Sequence, residues 1–531
     1  MSTEPATSTR WGDWHTRLVQ RPVLTGTVPQ LLQRAADRFG DATALTEGDG
    51  ATITYRNLAE QAARFSSSLQ ARGVREGDRV AVMLPNSTDY VIALFGALRI
   101  GAVVVQVNPI YVDRELQDML ATTQACAIVV DIDALDRVRS VRRSTSLSHV
   151  FVARSRGALG ENEEAFEAIV AEADPHAAAV DLDPELNLAT IQFTGGTTGR
   201  SKGAMLTHTS LLVGLQPTFD LILPDPNVLP ANGKAVAAAP FFHIFGLTMV
   251  LLAGVHHGWN LLLVPRPTPD ELVRLIREEQ PVYLAGVATL FTALQNHPEV
   301  DAAGLENVVL YTSGGASVPE ALLRGFEART GRTLYEGYGL SEGAPVSFNT
   351  HLRGSVPGSI GIPIPGTEVR IIDPETGQEA PSGQPGELCV RGPQVMRGYW
   401  GMPEETATAV QQGWLHTGDI ATMDDEGFLR IVDRLKDMIN ASGYKVYPRE
   451  VEEVVYSLDD VVEAAVVGVA DDYRGETVKL AVVLRAGSEL TEDDIVGHCR
   501  ERLAAYKVPR IIEFREELPK SSVGKILRRA I

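Results

Sequence analysis

Phe193 to Gly203 reads FTGGTTGRSKG, and its residue types suit the holding of a phosphate. Gly195, Gly196 and Gly199 have no Cβ, so the chain can turn tightly and approach a bulky anion. Amide N–H groups in such a turn form a concave nest for phosphate oxygens. Thr194, Thr197, Thr198 and Ser201 add hydroxyl donors, and Lys202 adds a positive charge. The stretch is not a Walker A loop, because no GxxxxGK[ST] occurs, and it lacks the GxGxxG dinucleotide fingerprint. Read alone, it has a flexible glycine–threonine loop as its alternative reading.

Other motifs carry compatible chemistry. In PFFHIFG, Pro240 to Gly246, His243 follows small residues and precedes an apolar helix. A histidine in that setting is more often a satisfied core residue than a functional one. SGGASVP, Ser313 to Pro319, and YEGYGLSE, Tyr335 to Glu342, each follow an expected strand, where open α/β sheets bind ligands. Gly314 and Gly315 allow close approach of a flat ring, and Tyr338 can stack on a purine. Glu342 is a hard oxygen ligand suited to Mg²⁺ on nucleotide phosphates. In GWLHTGD, Asp419 is a carboxylate able to accept two vicinal ribose hydroxyls, and Arg434 adds a donor. Either is as readily a surface ion-pair member. Lys525 lies in the basic segment PKSSVGKILRR, Pro519 to Arg529.

TGGTTGRSKG resembles the phosphate-binding signature of the adenylate-forming superfamily of acyl-CoA synthetases, luciferases and peptide-synthetase adenylation domains. Gly195 stands where the usual form has Ser, and Ser201 where it has Pro. The Gly-Gly form looks like bacterial fatty-acid CoA ligases. The other motifs follow in family order, with GELCVRG at Gly386 to Gly392 and SGYKVYP at Ser442 to Pro448. The resemblance implies an ATP- and Mg²⁺-dependent ligase that makes an acyl-adenylate and then a CoA thioester. It implies nucleotide contacts by Thr194, Gly195, Gly196, Thr197, Thr198, Gly199, Lys202, Gly315, Glu336 (through its backbone), Gly337, Tyr338, Gly339, Ser341, Asp419, Arg434 and Lys525. Thr198, Lys202, His243 and Lys525 take the catalytic roles, and Glu342 with Thr198 takes the metal. Phe242, His243, Gly314 and Gly339 face the acyl group, Gly443, Tyr444 and Lys445 face CoA, and Lys436 is the hinge. A medium- or long-chain fatty acid is the favoured substrate. An aryl-CoA ligase and an acyl-AMP ligase loading a carrier protein are the alternatives. Asn440 stands where many aryl-CoA ligases carry a lysine, which weakens the first of these.

The elements that must position these residues are legible as a pattern. Val80–Leu84 reads as a buried strand, Ser87 as the cap of a helix ending at Gly101, and Ala102–Val107 as the next strand. The strand–helix alternation repeats through Val150–Ala153 and predicts a parallel sheet. The acidic segment GENEEAFEAIVAEADP should then separate that sheet from the glycine loop, its charges on a solvated helix face. Ala189, Ile191 and Phe193 alternate with Thr190 and Gln192, as in a strand with one polar face. A second α/β series starts at Ala235, a β-rich segment follows Arg353, and a compact strand–helix unit closes the chain. The expected fold is α/β: a large N-terminal domain of two doubly wound α/β subdomains plus a small β-rich subdomain, then a small mobile α+β domain. Its expected bounds are 1–433, a hinge at 434–436, and 437–531.

The chain has 531 residues, too many for one core. A net charge of -20 argues against nucleic-acid binding. The three cysteines are far apart and lack metal-ligand spacing, which fits a reducing cytoplasm. No stretch is apolar enough for a transmembrane segment or, at MSTEPATSTR, for a secretory leader. The expected partners are a small carboxylic acid, ATP and CoA. Weak peripheral membrane association and a homodimer are further expectations.

Overall fold

The structure is a computed structural model that describes residues 23–175, 179–194, 201–225, 228–441, 444–471, 475–521 and 524–531. A seven-stranded sheet has the order Glu163–Ala165, His149–Ala153, Ala127–Asp131, Arg79–Met83, Val103–Gln106, Leu188–Phe193, Gly203–Thr207. Its strands are parallel except for the last pair. Helices cover a parallel sheet on both faces, so its strands are buried on both. Val80, Ala81, Val82 and Met83 are accordingly all buried. Ser87 accepts the Tyr90 N–H and starts the helix Thr88–Arg99, which Gly101 follows at φ +75.

The nine-stranded second sheet has a parallel centre, built from Thr43–Thr46, Asn260–Leu263, Lys234–Ala237, Tyr283–Gly286, Leu310–Ser313 and Leu334–Leu340. A third, antiparallel sheet contains Glu368–Ile372, Gly386–Arg391, Trp414–Met423 and Leu429–Arg434. One hydrophobic core joins residues of all three sheets, from Val28 to Leu429. The chain then passes through a turn, where Asp437 N–H donates to the Arg434 carbonyl, into a separate sheet beginning at Ile439–Ala441. That sheet and the helices Pro448–Tyr456 and Glu492–Arg502 have their own core, including Val451, Val466, Leu480 and Ile495.

Three expectations need correction, and one placement was not foreseen. The acidic segment does not lie outside the first sheet: Glu163–Ala165 is its edge strand, and Glu163 and Glu164 pair with Arg139 and Arg72. Thr190 and Gln192 are not on a polar outer face but are buried, because the strand is interior. YEGYGLSE is not a loop after a strand: Gly337, Tyr338 and Gly339 lie within the strand Leu334–Leu340, which folds back on Gly343–Phe348. Thr43–Thr46 and Thr52–Thr54, from the start of the chain, belong to the second sheet. The parallel pairing of Thr43–Thr46 with Asn260–Leu263 spans over 200 residues, and no local period signals such a contact.

Candidate active site

The glycine loop is closed at its base. Thr194 N–H donates to the Lys202 carbonyl at 2.9 Å, and the Ser201 hydroxyl donates to the Thr194 carbonyl at 2.5 Å. Gly195, Gly196, Thr197, Thr198 and Gly199 lie outside the described residues, as does Gly443. Lys202 Nζ sits 5.0 Å from the centre of the Tyr399 ring, and the Tyr399 hydroxyl donates to Glu342 Oε1 at 2.8 Å. Ser341 and Glu342 form the tip of the hairpin whose strands pair Leu340 with Gly343. The Glu342 backbone carbonyl accepts the Met396 N–H at 2.7 Å, which fixes the main chain of the hairpin tip while Tyr399 holds the carboxylate. The Glu342 carboxylate, linked through Tyr399 to Lys202 at the end of the loop, is a hard-oxygen donor of the kind that suits Mg²⁺.

The glycines of the hairpin are packing requirements. A Cβ on Gly337 would lie 2.3 Å from the Phe348 ring, and one on Gly339 would lie 2.8 Å from Ala344. A Cβ on Gly314 would lie 2.9 Å from Phe245, and Gly315 sits at φ +78, a left-handed conformation that favours glycine. Glu336 is buried, and its carbonyl already accepts the N–H and the Nδ2 of Asn349. Its Oε1 accepts the Val318 N–H at 3.2 Å. Burial pushes this carboxyl up to about 7, against the pull of Arg449.

The Tyr338 hydroxyl donates to Asp419 Oδ2 at 2.5 Å, and Arg434 Nε lies 3.4 Å from Asp419 Oδ1. Asp419 and Arg434 are direct partners across two antiparallel strands. The strand Trp414–Met423 bulges there, since Cys389 pairs with His416 but Glu387 with Ile420. Glu387, Cys389 and His416 lie under the bulge with their ligand atoms within 4.8 Å of one another, which their sequence spacing did not suggest. His416 Nδ1 is 2.7 Å from Glu387 Oε2, and Glu387 Oε1 accepts the Gly418 N–H at 3.1 Å. These donors are engaged with one another and brace the turn that presents Asp419.

His243 lies in the tight turn before Gly246–Leu252, a wide-turned π segment whose residues are all buried. Leu247, Val250 and Leu251 are core residues there. Wide π turns are frequent at functional sites. Three residues hold the segment, and sequence reasoning missed them as positioning groups. Asn86 donates to the Ala237 and Ala239 carbonyls and accepts the Phe241 N–H. The Tyr90 hydroxyl donates to the Phe241 carbonyl at 2.8 Å, and Gln192 Nε2 to the Phe242 carbonyl at 2.6 Å. For Asn86 and Gln192 the signal was a polar residue after or inside an apolar strand; Tyr90, on the apolar face of the helix Thr88–Arg99, gave none.

Lys525 comes into this site from the C-terminal segment. Gly524, at φ +78, offers its carbonyl to the Thr289 hydroxyl at 3.0 Å. Burial holds the Lys525 amine down to about 8, with Arg434 adding to the effect and Asp419 opposing it. Burial, with the Lys525 charge adding to it, brings His243 down to about 4. Lys525 thus lies within electrostatic reach of His243, Asp419 and Arg434. Tyr444 and Lys445 are elsewhere: Tyr444 is 59% exposed and stacked on Tyr506, and Lys445 pairs with Glu375 at 2.7 Å. Lys436 is exposed in the turn between the two sheets.

This is the adenylate-forming fold, a large N-terminal α/β portion with a small C-terminal domain. Residues 32–400 match the AMP-binding enzyme family and residues 450–525 match the AMP-binding enzyme C-terminal domain. The chain belongs to the AMP-binding enzyme family. It is 38% identical to a long-chain-fatty-acid–CoA ligase of Bacillus subtilis, over 96% of this chain and 95% of that one. It is 42% identical to the ligase of the same name in Salmonella typhimurium (94% and 93% covered) and 36% identical to a feruloyl-CoA synthase of Amycolatopsis (93% and 96%). Among solved structures, ATP-bound MatB from Rhodopseudomonas palustris superposes with a TM-score of 0.86 at 29% identity, covering 95% of this chain and 98% of that one. Apo MatB, at the same identity and coverage, gives 0.78. Among the described residues, no helix is long and apolar enough to cross a membrane.

Proposed function

We propose that this chain is an ATP-dependent acyl-CoA ligase that activates a medium- or long-chain fatty acid as its acyl-adenylate and passes the acyl group to CoA. One observation carries the reading: Lys525, on a turn anchored through Gly524 to Thr289, lies within electrostatic reach of His243 and of the Asp419–Arg434 pair. A carboxylate does not accept a thiol, because it would have to expel oxide. Attack of the acid on the α-phosphate of ATP releases pyrophosphate and leaves AMP as a good leaving group for the CoA thiol. On this reading Lys202 and Lys525 face the developing phosphate charge, and Asp419 and Arg434 take the ribose. Tyr338 packs on the adenine, and His243 lies at the acyl carboxylate. Glu342 would hold Mg²⁺, with Thr198 as its companion ligand, and the ion would supply charge neutralisation at the phosphates. Residues 1–433 and 437–531 act as two bodies about a hinge at 434–436, and Gly443, Tyr444 and Lys445 meet CoA after rotation.

The names of the Bacillus and Salmonella relatives support the fatty-acid assignment. The Amycolatopsis relative favours a second reading, an aryl-CoA ligase. Formation of AMP and thioester from octanoate, palmitate and coumarate separates the two. Each buried substrate methylene is worth about 0.8 kcal/mol, so efficiency should climb roughly 15-fold per two carbons until the pocket is full. A preference for coumarate would replace the fatty-acid reading. Cytoplasmic location belongs to the same proposal, on the strength of composition alone.

A further inference from the structure

Lys525 sits on a closed turn. Leu527 N–H donates to the Pro519 carbonyl at 2.8 Å, and Ser521 N–H to the Lys525 carbonyl at 2.7 Å. Lys520 bridges Ile526. Arg528 follows directly at the base of this turn, so whatever fixes Arg528 fixes Lys525. Its guanidinium has two arms. Nε and Nη2 donate to the two Glu452 carboxylate oxygens at 3.0 and 2.7 Å. Nη1 donates to Asp433 Oδ1 at 2.8 Å and lies 3.6 Å from Asp437 Oδ2. Glu452 belongs to the helix Pro448–Tyr456 of the C-terminal core. Asp433 belongs to the strand Leu429–Arg434 of the third sheet, on the other side of the connecting turn. The Asp433 side chain is 2% exposed, and its Oδ2 also accepts the Arg449 N–H at 2.8 Å.

We infer that Arg528 is a positioning residue for acid activation: its ion pair with Asp433 spans the connector and holds the Lys525 turn in the active site. The inference rests on the two-step reading above. The two arms differ in kind. If the C-terminal segment turns about Lys436, Arg528 and Glu452 move together and keep their bonds. Arg528 and Asp433 stand on opposite sides of Lys436 and must part. The Glu452 arm therefore stabilises the C-terminal unit in every pose, whereas the Asp433 arm stabilises only the pose in which Lys525 is inserted. A bidentate fork with a planar guanidinium suits this double duty, and a lysine would serve only one arm well.

The test uses the full chain and single-turnover measurement of both half-reactions: acyl-adenylate formation from palmitate and ATP, and thioester formation from premade palmitoyl-adenylate and CoA. Asp433→Asn keeps the shape and removes the charge. It should slow acyl-adenylate formation about 30-fold, the scale for truncating one member of a buried charge pair. The KM for ATP and the thermal midpoint should stay, and thioester formation should be unchanged or faster. Arg528→Lys should recover part of the loss seen in Arg528→Gln. Combining Asp433→Asn with Arg528→Gln should cost little more than Arg528→Gln alone, because the two changes remove one interaction. Full additivity, equal loss in both half-reactions, or a rise in the ATP KM as the main effect of Asp433→Asn would each overturn the inference. Wild-type enzyme that forms no acyl-adenylate with any acid would remove the two-step reading and this inference together. Wild-type formation with a normal Asp433→Asn variant removes the inference alone.

Discussion

The C-terminal segment carries two lysines of interest, and the structure treats them in opposite ways. Lys525 is turned into the molecule, where burial and Arg434 hold its amine down to about 8. Lys445 is turned outward, 47% exposed, with one exposed carboxylate, Glu375, as its partner. The first lies on a turn tied to Thr289 and, through Arg528, to Asp433. The second lies on the short hairpin Ile439–Ala441/Tyr444–Val446 beside a tyrosine stack. One rigid unit cannot show both lysines to the same site at once. That difference is what a two-step enzyme needs if a single small domain serves each step in turn.

The largest effect that would sharpen the contrast is loss of the inserted cation. Lys525→Ala should cost acyl-adenylate formation about 3–4 kcal/mol, the range for removing a preorganised group aimed at developing charge. Thioester formation from premade acyl-adenylate should be near normal. Equal damage to both half-reactions, measured in single turnover, would break the contrast and leave Lys525 as a structural residue.

Glu342→Gln comes next. It keeps the volume and the hydrogen bond from Tyr399 but removes the charge that a hard cation needs. Activity at limiting Mg²⁺ should fall by about two orders of magnitude, about 2.7 kcal/mol, with an unchanged thermal midpoint. Normal activity across a Mg²⁺ titration would place the metal elsewhere.

A pH profile tests the electrostatics of the inserted lysine more gently. An amine with its pKa brought down to about 8 is charged below that pH and loses its charge as pH rises through it. The step that needs the cation should be intact at pH 7 and should fall about tenfold per unit well above pH 8, read as kcat/KM for ATP in the adenylation half-reaction. His243, held near 4, stays neutral over pH 6–9 and should add no second limb there. The thioester half-reaction should lack the pH 8 limb if Lys525 leaves the site for that step. The same limb in both half-reactions would argue that it stays.

The sequence showed some of this machinery and hid the rest for identifiable reasons. Ser87 and Gly101 are local signals, and they mark the helix Thr88–Arg99 as expected. The motif glycines were legible as sites of close approach, but not the partners: Phe348 for Gly337 and Phe245 for Gly314. Tyr399 bonds Glu342 across 57 residues, and Asn86 bonds Phe241 across 155, so no spacing rule reports them. Gln192 looked solvent-facing because alternation is the mark of a half-buried strand, whereas an interior parallel strand buries both faces. The place of Lys525 came from the resemblance alone, since its residue neighbours suggest only a solvated basic tail. Glu387, Cys389 and His416 became a cluster only through the pairing of two strands.

The smallest effect concerns the outward lysine. Lys445 and Glu375 are 47% and 73% exposed, so their pair is well solvated and should contribute about 0.2–1 kcal/mol at most. Glu375 stands in the turn after the strand Glu368–Ile372 of the third sheet, and Lys445 in the C-terminal unit, so the pair also spans the connector. It is thus a control for the Arg528–Asp433 pair, with the same span but little burial. Glu375→Gln should slow acyl-adenylate formation less than about threefold, and the residual effect should vanish in 0.5 M salt, where the Debye length falls to about 4–5 Å. Thioester formation should rise slightly, because Lys445 no longer gives up a partner when it turns toward CoA. A loss as large as that of Asp433→Asn would mean that span alone, and not burial, sets the cost of parting the two units. The inserted and outward faces would then be held by one diffuse surface, and the contrast between the two lysines would lose its energetic basis.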